Sequence, residues 1–340
     1  MRWTLTLGSL NLHMNVRSLF RSAKVEGAAS PYDTIHLKVF YPAQMSGSDY
    51  KQNLGIAPAN AQQSPFKIVI FFNGINCGSE QYQWLAVNLA ERGLVVVTFA
   101  WVAENLPGMV ALTPGVDIKM LAPNIYGKGP TASALPTLLA ALEQLQTKGV
   151  LANLLDLNCI ILGGHSAGGR VAIESANPRF FPQVVAAFAY GAHTAAIVQL
   201  GYAAGTILSL PDSLPLLLMG GTIDGVIAHS SHQYGVNWEQ PTTPIARTFQ
   251  EAIAGGRGDS YLLLLEGANH YSIVDPVDLT TGGSFLDFPA TQPEAPLRSL
   301  MAEAIGLFID AYVRCQTPAI KALNQLSASY NQAIASFAQK

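Results

Sequence analysis

Residues 161–171, "ILGGHSAGGRV", set Gly164, Ser166 and Gly168 in alternation directly after an apolar run. A nucleophile elbow needs a strand, a very tight turn and a helix, with small residues two before and two after the nucleophile. Gly164 and Gly168 fill those positions, where a Cβ would collide with the adjoining strand or helix. "CIILG" predicts the strand and "AGGRVAIESAN" the helix, with His165 inside the turn. Such a turn exposes Ser166 Oγ at a helix N-terminus, where backbone N–H groups and the dipole favour developing negative charge. The bland alternative is a Gly-rich turn with an ordinary capping serine. The flanking strand and helix argue against it.

Outward from the elbow, short apolar runs alternate with helical patterns, which predicts a mostly parallel sheet with helices on both faces. "TIHLKVFYP" (34–42) alternates as a half-exposed strand, and 45–65 is polar loop. "FKIVIFF" (66–72), "LVVVTFAW" (94–101), "VVAAFAY" (184–190), "LPLLLMGG" (214–221) and "SYLLLLEG" (260–267) read as strands, the last of these closing the sheet. Helices are expected at 78–93, stopped by Gly93; at 131–149, capped by Thr131 or Ser133; at 296–315; and at 318–338. One α/β domain over 1–340 is expected, with a core of about 35–316. Residues 102–130 and 191–213 are cap-like excursions, and 318–340 is a helical extension.

A serine hydroxyl becomes a useful nucleophile when an imidazole takes its proton and a carboxylate orients that imidazole. With this elbow the order is serine, acid, histidine. His270 stands just past "YLLLLEGAN", at the carboxyl end of the last predicted strand, where sites in open α/β sheets gather. Asp224 follows "LPLLLMGGTI" at the same edge, although a loop aspartate capping the next helix is the plainer reading. Asp212 precedes its strand and would lie at the wrong edge, while Asp275, Asp278 and Asp287 follow His270 and break the order. His229 and His232, at i and i+3, read as a polar helix face, while His193, Tyr190 and Gly74 are candidate pocket residues. The triad is Ser166, Asp224 and His270. Backbone N–H groups of Ala167 and of the "NGINCG" loop, best at Ile75 beside Gly74, are the candidate oxyanion donors.

The composition sets limits on this. Charged residues are 12% against 49% hydrophobic, and the net charge of −3 leaves no basic stripe for a nucleic acid. Cys77, Cys159 and Cys315 lack any CxxC spacing, so a zinc site or disulfide framework is not expected, and reduced thiols point to a cytoplasmic protein. The N-terminus lacks a signal-like apolar run, and no stretch reaches the roughly 20 apolar residues of a membrane span. No phosphate loop, dinucleotide fingerprint or metal cluster appears, so no cofactor and no metal are expected.

"FFNGINCGSEQYQWLAVNLAERGLVVVTFAW", "GGHSAGG", "LPLLLMGGTIDGVIAHSSHQYG" and "LLLLEGANHYSI" together resemble the α/β-hydrolase superfamily. They are most similar to its branch of chlorophyllases, dienelactone-hydrolase-like proteins and cutinase-like polyester hydrolases. The resemblance runs from roughly 35 to 310 and implies Asp224 as acid, His270 as base and Ile75 as donor. Ser166 departs from the cysteine of dienelactone hydrolases, and Ala167 from the arginine of plant chlorophyllases. It implies a serine esterase on a bulky lipophilic ester, with chlorophyll as the leading substrate and peripheral membrane contact as a consequence. A small-ester, lactone or polyester hydrolase is the alternative, and an inactive binding protein of the same fold is the alternative of another class.

Overall fold

The structure is a computed structural model that describes residues 15–44, 57–106, 108–330 and 332–340. Most of the expected 45–65 loop and of the N-terminal stretch lies outside the described residues. Among the described residues ten strands form one sheet: β1 Asn15–Lys24, β2 Thr34–Ala43, β3 Phe66–Phe72, β4 Val95–Leu106, β5 Met109–Leu112, β6 Leu155–His165, β7 Val184–Tyr190, β8 Leu216–Gly221, β9 Ser260–Leu265 and β10 Ile334–Gln339. The order is β1-β2-β4-β3-β6-β7-β8-β9-β10, with β5 hairpinned onto the far end of β4. Pairing from β4 to β9 is parallel, and the flanking pairs β1·β2, β2·β4 and β9·β10 are antiparallel. This is a mixed, mostly parallel sheet of α/β-hydrolase type.

Helices cover both faces, which is why the central strands read as unbroken apolar runs. Along β3, Ile68, Ile70 and Phe72 enter one core with Leu138 and Leu142 of α2 (Leu135–Thr147) and Val171 of α3 (Ser166–Ser175). Val69 and Phe71 enter the other, with Leu89 of α1 (Gln83–Glu91) and Ile305 and Phe308 of α6 (Glu294–Tyr312). Alternation along one strand thus feeds two cores. The short α4 (Gly225–Ser230) and α5 (Thr243–Arg247) follow β8.

The expected helix over 318–338 is the main correction. The chain makes α7 (Thr317–Asn324) and the single turn α8 (Leu326–Ser329), then returns as β10 antiparallel to β9. The open edge of β9 offers unpaired N–H and C=O groups, and β10 satisfies them while Phe337 lies 5.7 Å from the Tyr261 ring. Part of the first excursion is also strand, since β4 runs on to Leu106 before the β5 hairpin. Neither proposed cap begins α2: Ser133 Oγ donates to Gly115 O, Thr131 Oγ1 faces Ser175 Oγ, and Ala134 is the N-cap, with Pro136 in the first turn. Among the described residues no helix is long and apolar enough to cross a membrane.

Candidate active site

The carboxyl ends of β3, β6, β7, β8 and β9 share one rim, and the loops leaving them carry the predicted residues. β6 ends at His165 and α3 begins at Ser166, with no connecting residue. Ser166 has φ +55°, a left-handed conformation that a non-glycine residue adopts under strain. The glycines permit the crossing. A Cβ on Gly164 would sit 2.4 Å from Gly168 O, and one on Gly168 would sit 2.3 Å from Asn73 O.

The loop after β3 is tied down bond by bond. Gly74 N donates to Tyr82 Oη (3.1 Å), Asn76 N to Leu112 O (2.8 Å) and Cys77 N to Gly74 O (3.1 Å). Buried Asn73 adds bonds from Nδ2 to Gly74 O and Cys77 O. These commitments leave the N–H of Ile75, at the wall of a cavity that Ala167 also lines. Ala167 lies in the first turn of α3, where N–H groups lack an intrahelical acceptor.

Asp224 is fully buried and does two things at once. Its Oδ1 accepts from Ile227 N (2.8 Å) as the N-cap of α4, and its Oδ2 lies 2.7 Å from His270 Nδ1. The capping role and the orienting role are therefore one geometry. Burial alone would lower the pKa of His270, but the Asp224 carboxylate outweighs it, helped by Asp287, so the imidazole sits above its ordinary value. With Nδ1 engaged by Asp224, Nε2 is the ring nitrogen left for the cavity that Ser166 lines.

Asp287, set aside by the order rule, sits beside this pair. Its Oδ1 accepts from Gly225 N (2.8 Å) and its Oδ2 from Tyr271 N (3.0 Å), joining the acid loop to the histidine loop. No sequence signal marks it, because its partners are backbone groups of two remote loops. His165 was read only as part of the elbow. It is fully buried, its Nε2 donates to His270 O (3.0 Å), and its Nδ1 accepts from Tyr82 Oη (2.8 Å). A carbonyl only accepts, so this fixes the tautomer. Burial holds His165 well below the ordinary pKa, with His270 adding to the effect.

His193 lines the cavity, and its Nδ1 accepts from Ala195 N (3.3 Å). Burial, with Arg170 next in weight, pushes its pKa down to about 3. Tyr190 and Gly74 do not line it. Alternation along β7 turns Tyr190 into the opposite core, where its hydroxyl reaches Asn269 O (2.5 Å), and Gly74 packs against His165. His229 and His232 bond backbone carbonyls one turn back, at Gly225 and His229. The cavity holds about 310 Å³ and is mainly apolar, with Val116, Ile118, Leu121, Ile197 and Val226 in its walls. Among the described residues no cluster of His, Cys, Asp or Glu is arranged to hold a metal.

No family model matches this sequence, and no curated protein is similar enough to count as a relative. Among solved structures the chain is similar to a ferulic acid esterase from Streptomyces cinnamoneus. That match has a TM-score of 0.56 and 15% identity, over 90% of this chain and 92% of that one. At that identity the likeness establishes an α/β-hydrolase-like fold.

Proposed function

We propose that the protein is a serine carboxylic-ester hydrolase acting on a lipophilic ester. One observation carries the reading: His270, its Nδ1 2.7 Å from buried Asp224, lines the same cavity as a serine held at φ +55°. In this mechanism His270 Nε2 takes the proton of Ser166 Oγ as the oxygen attacks the ester carbonyl. The N–H groups of Ile75 and Ala167 receive the negative charge that gathers on the carbonyl oxygen. His270 then passes the proton to the departing alcohol, which leaves an acyl group on Ser166. A water deprotonated by the same nitrogen attacks the acyl carbon, releasing the acid and restoring the hydroxyl.

The apolar walls support a lipophilic substrate, and the volume bears on its size. About 310 Å³ is at the low end for ligand cavities, so a compact acyl or aryl arm fits inside and a chlorin ring would lie outside. This favours the small-ester alternative over chlorophyll. The likeness to a ferulic acid esterase makes methyl ferulate a further candidate. Exposed Met109, Val110, Leu279 and Phe285 stand on the β5 hairpin and on the loop around Thr281. Both segments bond to Asn76 beside the mouth, and this rim would rest on a lipid or micelle surface.

The test is hydrolysis of p-nitrophenyl esters of increasing chain length, of methyl ferulate and of detergent-dispersed chlorophyll. Ser166→Ala should lower the rate on the best of these by about 10⁴ or more. A fluorophosphonate probe should label Ser166 in the unaltered protein. Full activity of the alanine variant would refute the mechanism. Absence of both labelling and turnover would favour a binding protein.

A further inference from the structure

The cavity at Ser166 carries two hydrogen-bond donors that the proposed mechanism does not use. Arg170 stands four residues after Ser166 on α3, so it shares that helix face and lies about 6 Å further along the axis. Its Nε donates to Glu174 Oε1 (2.8 Å) and its Nη1 to Ala195 O (2.9 Å), while Nη2 has no partner among the described residues. His193 holds the same Ala195 by its other end, because Nδ1 accepts from Ala195 N (3.3 Å). A neutral imidazole that accepts at Nδ1 carries its proton on Nε2. That N–H also has no partner among the described residues.

Neither donor is sealed off. Some buried side-chain nitrogens and oxygens do lack a partner among the described residues, but Arg170 Nη2 and His193 Nε2 are not among them. Both side chains line the cavity that Ser166 and His270 line. His193 is 7% exposed, and its ring packs edge-on against Tyr234 with centroids 4.9 Å apart. The shared anchor at Ala195 and this packing fix both donors in advance, so binding has little further ordering cost to meet.

The charges decide which acceptor suits them. Glu174, its side chain 2% exposed, balances Arg170, and burial holds His193 neutral with its pKa pushed down to about 3. An anionic arm would bring an uncompensated charge between mainly apolar walls, and a cationic arm would set positive charge beside the guanidinium. A purely alkyl arm would cover both N–H groups and leave them without an acceptor. A neutral oxygen with free lone pairs avoids all three penalties.

We infer that the acyl arm selected by this cavity carries a neutral hydrogen-bond-accepting oxygen, of the ketone or ether class, about one helical turn from the scissile carbonyl, with Arg170 Nη2 and His193 Nε2 as its donors. This rests on the esterase reading of the same site and names the substrate class within it. An acyl chain with a ketone on its fifth carbon covers a comparable distance.

The test compares p-nitrophenyl 5-oxohexanoate with p-nitrophenyl 5-methylhexanoate, in which a methyl group replaces the ketone oxygen. The 4-carboxybutanoate and 5-(trimethylammonio)pentanoate esters serve as anionic and cationic comparisons. The kcat/KM for the ketone should exceed that for the alkyl ester by about tenfold, with both charged esters slower than the ketone. His193→Phe keeps a ring but removes the donor, and should lower the ketone-to-alkyl ratio by about fivefold. His193→Gln, which supplies an N–H again, should recover part of that ratio. Should the phenylalanine variant fail to fold, the ratio in the unaltered protein decides. In Ser166→Ala, methyl 5-oxohexanoate should bind more tightly than methyl 5-methylhexanoate by saturation-transfer NMR, which reads the site without turnover. Ketone preference in binding without turnover by the unaltered protein would overturn the esterase reading and uphold the donor pair. Equal handling of ketone and alkyl esters, preference for a charged ester, or a ratio that His193→Phe leaves in place would overturn the inference.

Discussion

The turn that presents Ser166 and the cradle that holds His270 meet at one cavity but are built differently. The turn lies within consecutive residues of β6 and α3, and close glycine contacts at Gly164 and Gly168 define it. The imidazole is fixed by groups from two loops and two strand ends: Asp224 on Nδ1, Asp287 on the next backbone N–H, His165 on its own carbonyl and Tyr190 on the preceding carbonyl. One construction is steric and local, while the other is electrostatic and assembled. Damage to the turn should therefore cost both stability and rate. Damage to the cradle should fall mainly on rate, because a hydrogen-bonded ring can tilt or change tautomer inside an intact fold.

Asp224→Asn should have the largest effect. The amide oxygen can still cap α4, but its NH₂ would face His270 Nδ1 and force the proton onto Nε2. That tautomer cannot accept a proton from Ser166, so kcat should fall by about 10⁴. Thermal unfolding should change little, and a large loss of stability would blur the contrast between turn and cradle.

Gly168→Ala tests the other side. The new Cβ meets Asn73 O and Phe72 O, at 2.3 and 2.4 Å, so the donor loop and helix must separate. Displacing an oxyanion donor costs about 10²–10³ in kcat. Overpacking should cost about 3 kcal/mol in urea unfolding. Stability equal to that of the parent would show that the turn is less tightly determined than its contacts imply.

Asp287→Asn sharpens the electrostatic half. Weakening its bonds to Gly225 N and Tyr271 N should cost about tenfold in kcat/KM. The proposed mechanism requires neutral His270, whose pKa the nearby carboxylates raise above its ordinary value against the pull of burial. Activity should thus fall as pH drops through a midpoint above the ordinary histidine value, and removing the Asp287 charge should move that limb to lower pH. A limb that stays in place in a pH profile of kcat/KM would assign Asp287 to loop packing alone.

The smallest effect is expected for Tyr190→Phe, which removes one hydroxyl bond to Asn269 O. It should cost about 1 kcal/mol and a few-fold in kcat, measurable by paired unfolding and rate assays.

Much of this was legible in the chain. β3 and β7 have the limits the apolar runs predict, and the elbow falls where the glycines require it. Asp224 and His270 were reachable because each follows a predicted strand at its carboxyl end. Their separation is 46 positions, yet the parallel sheet brings them to one rim. Asp287 and Tyr82 were not legible, since Asp287 accepts from the backbone of Gly225, 62 positions away, and Tyr82 donates to the His165 ring, 83 positions away. The terminal strand β10 has a short apolar pattern that fits either period, so the sequence alone predicts helix there. The open edge of β9, which decides between them, is a property of the folded sheet.

By itself, the sequence determined the alternation of strand and helix, the turn around Ser166 and the order of the candidate groups, because those rest on side-chain period and on the steric demands of neighbouring residues. Only the tertiary structure decided which N–H is left in the loop after β3, which carboxylates flank His270, and that the last strand pairs with β9. These depend on where remote backbone groups lie and how little water reaches them, and neither property is carried by local sequence pattern.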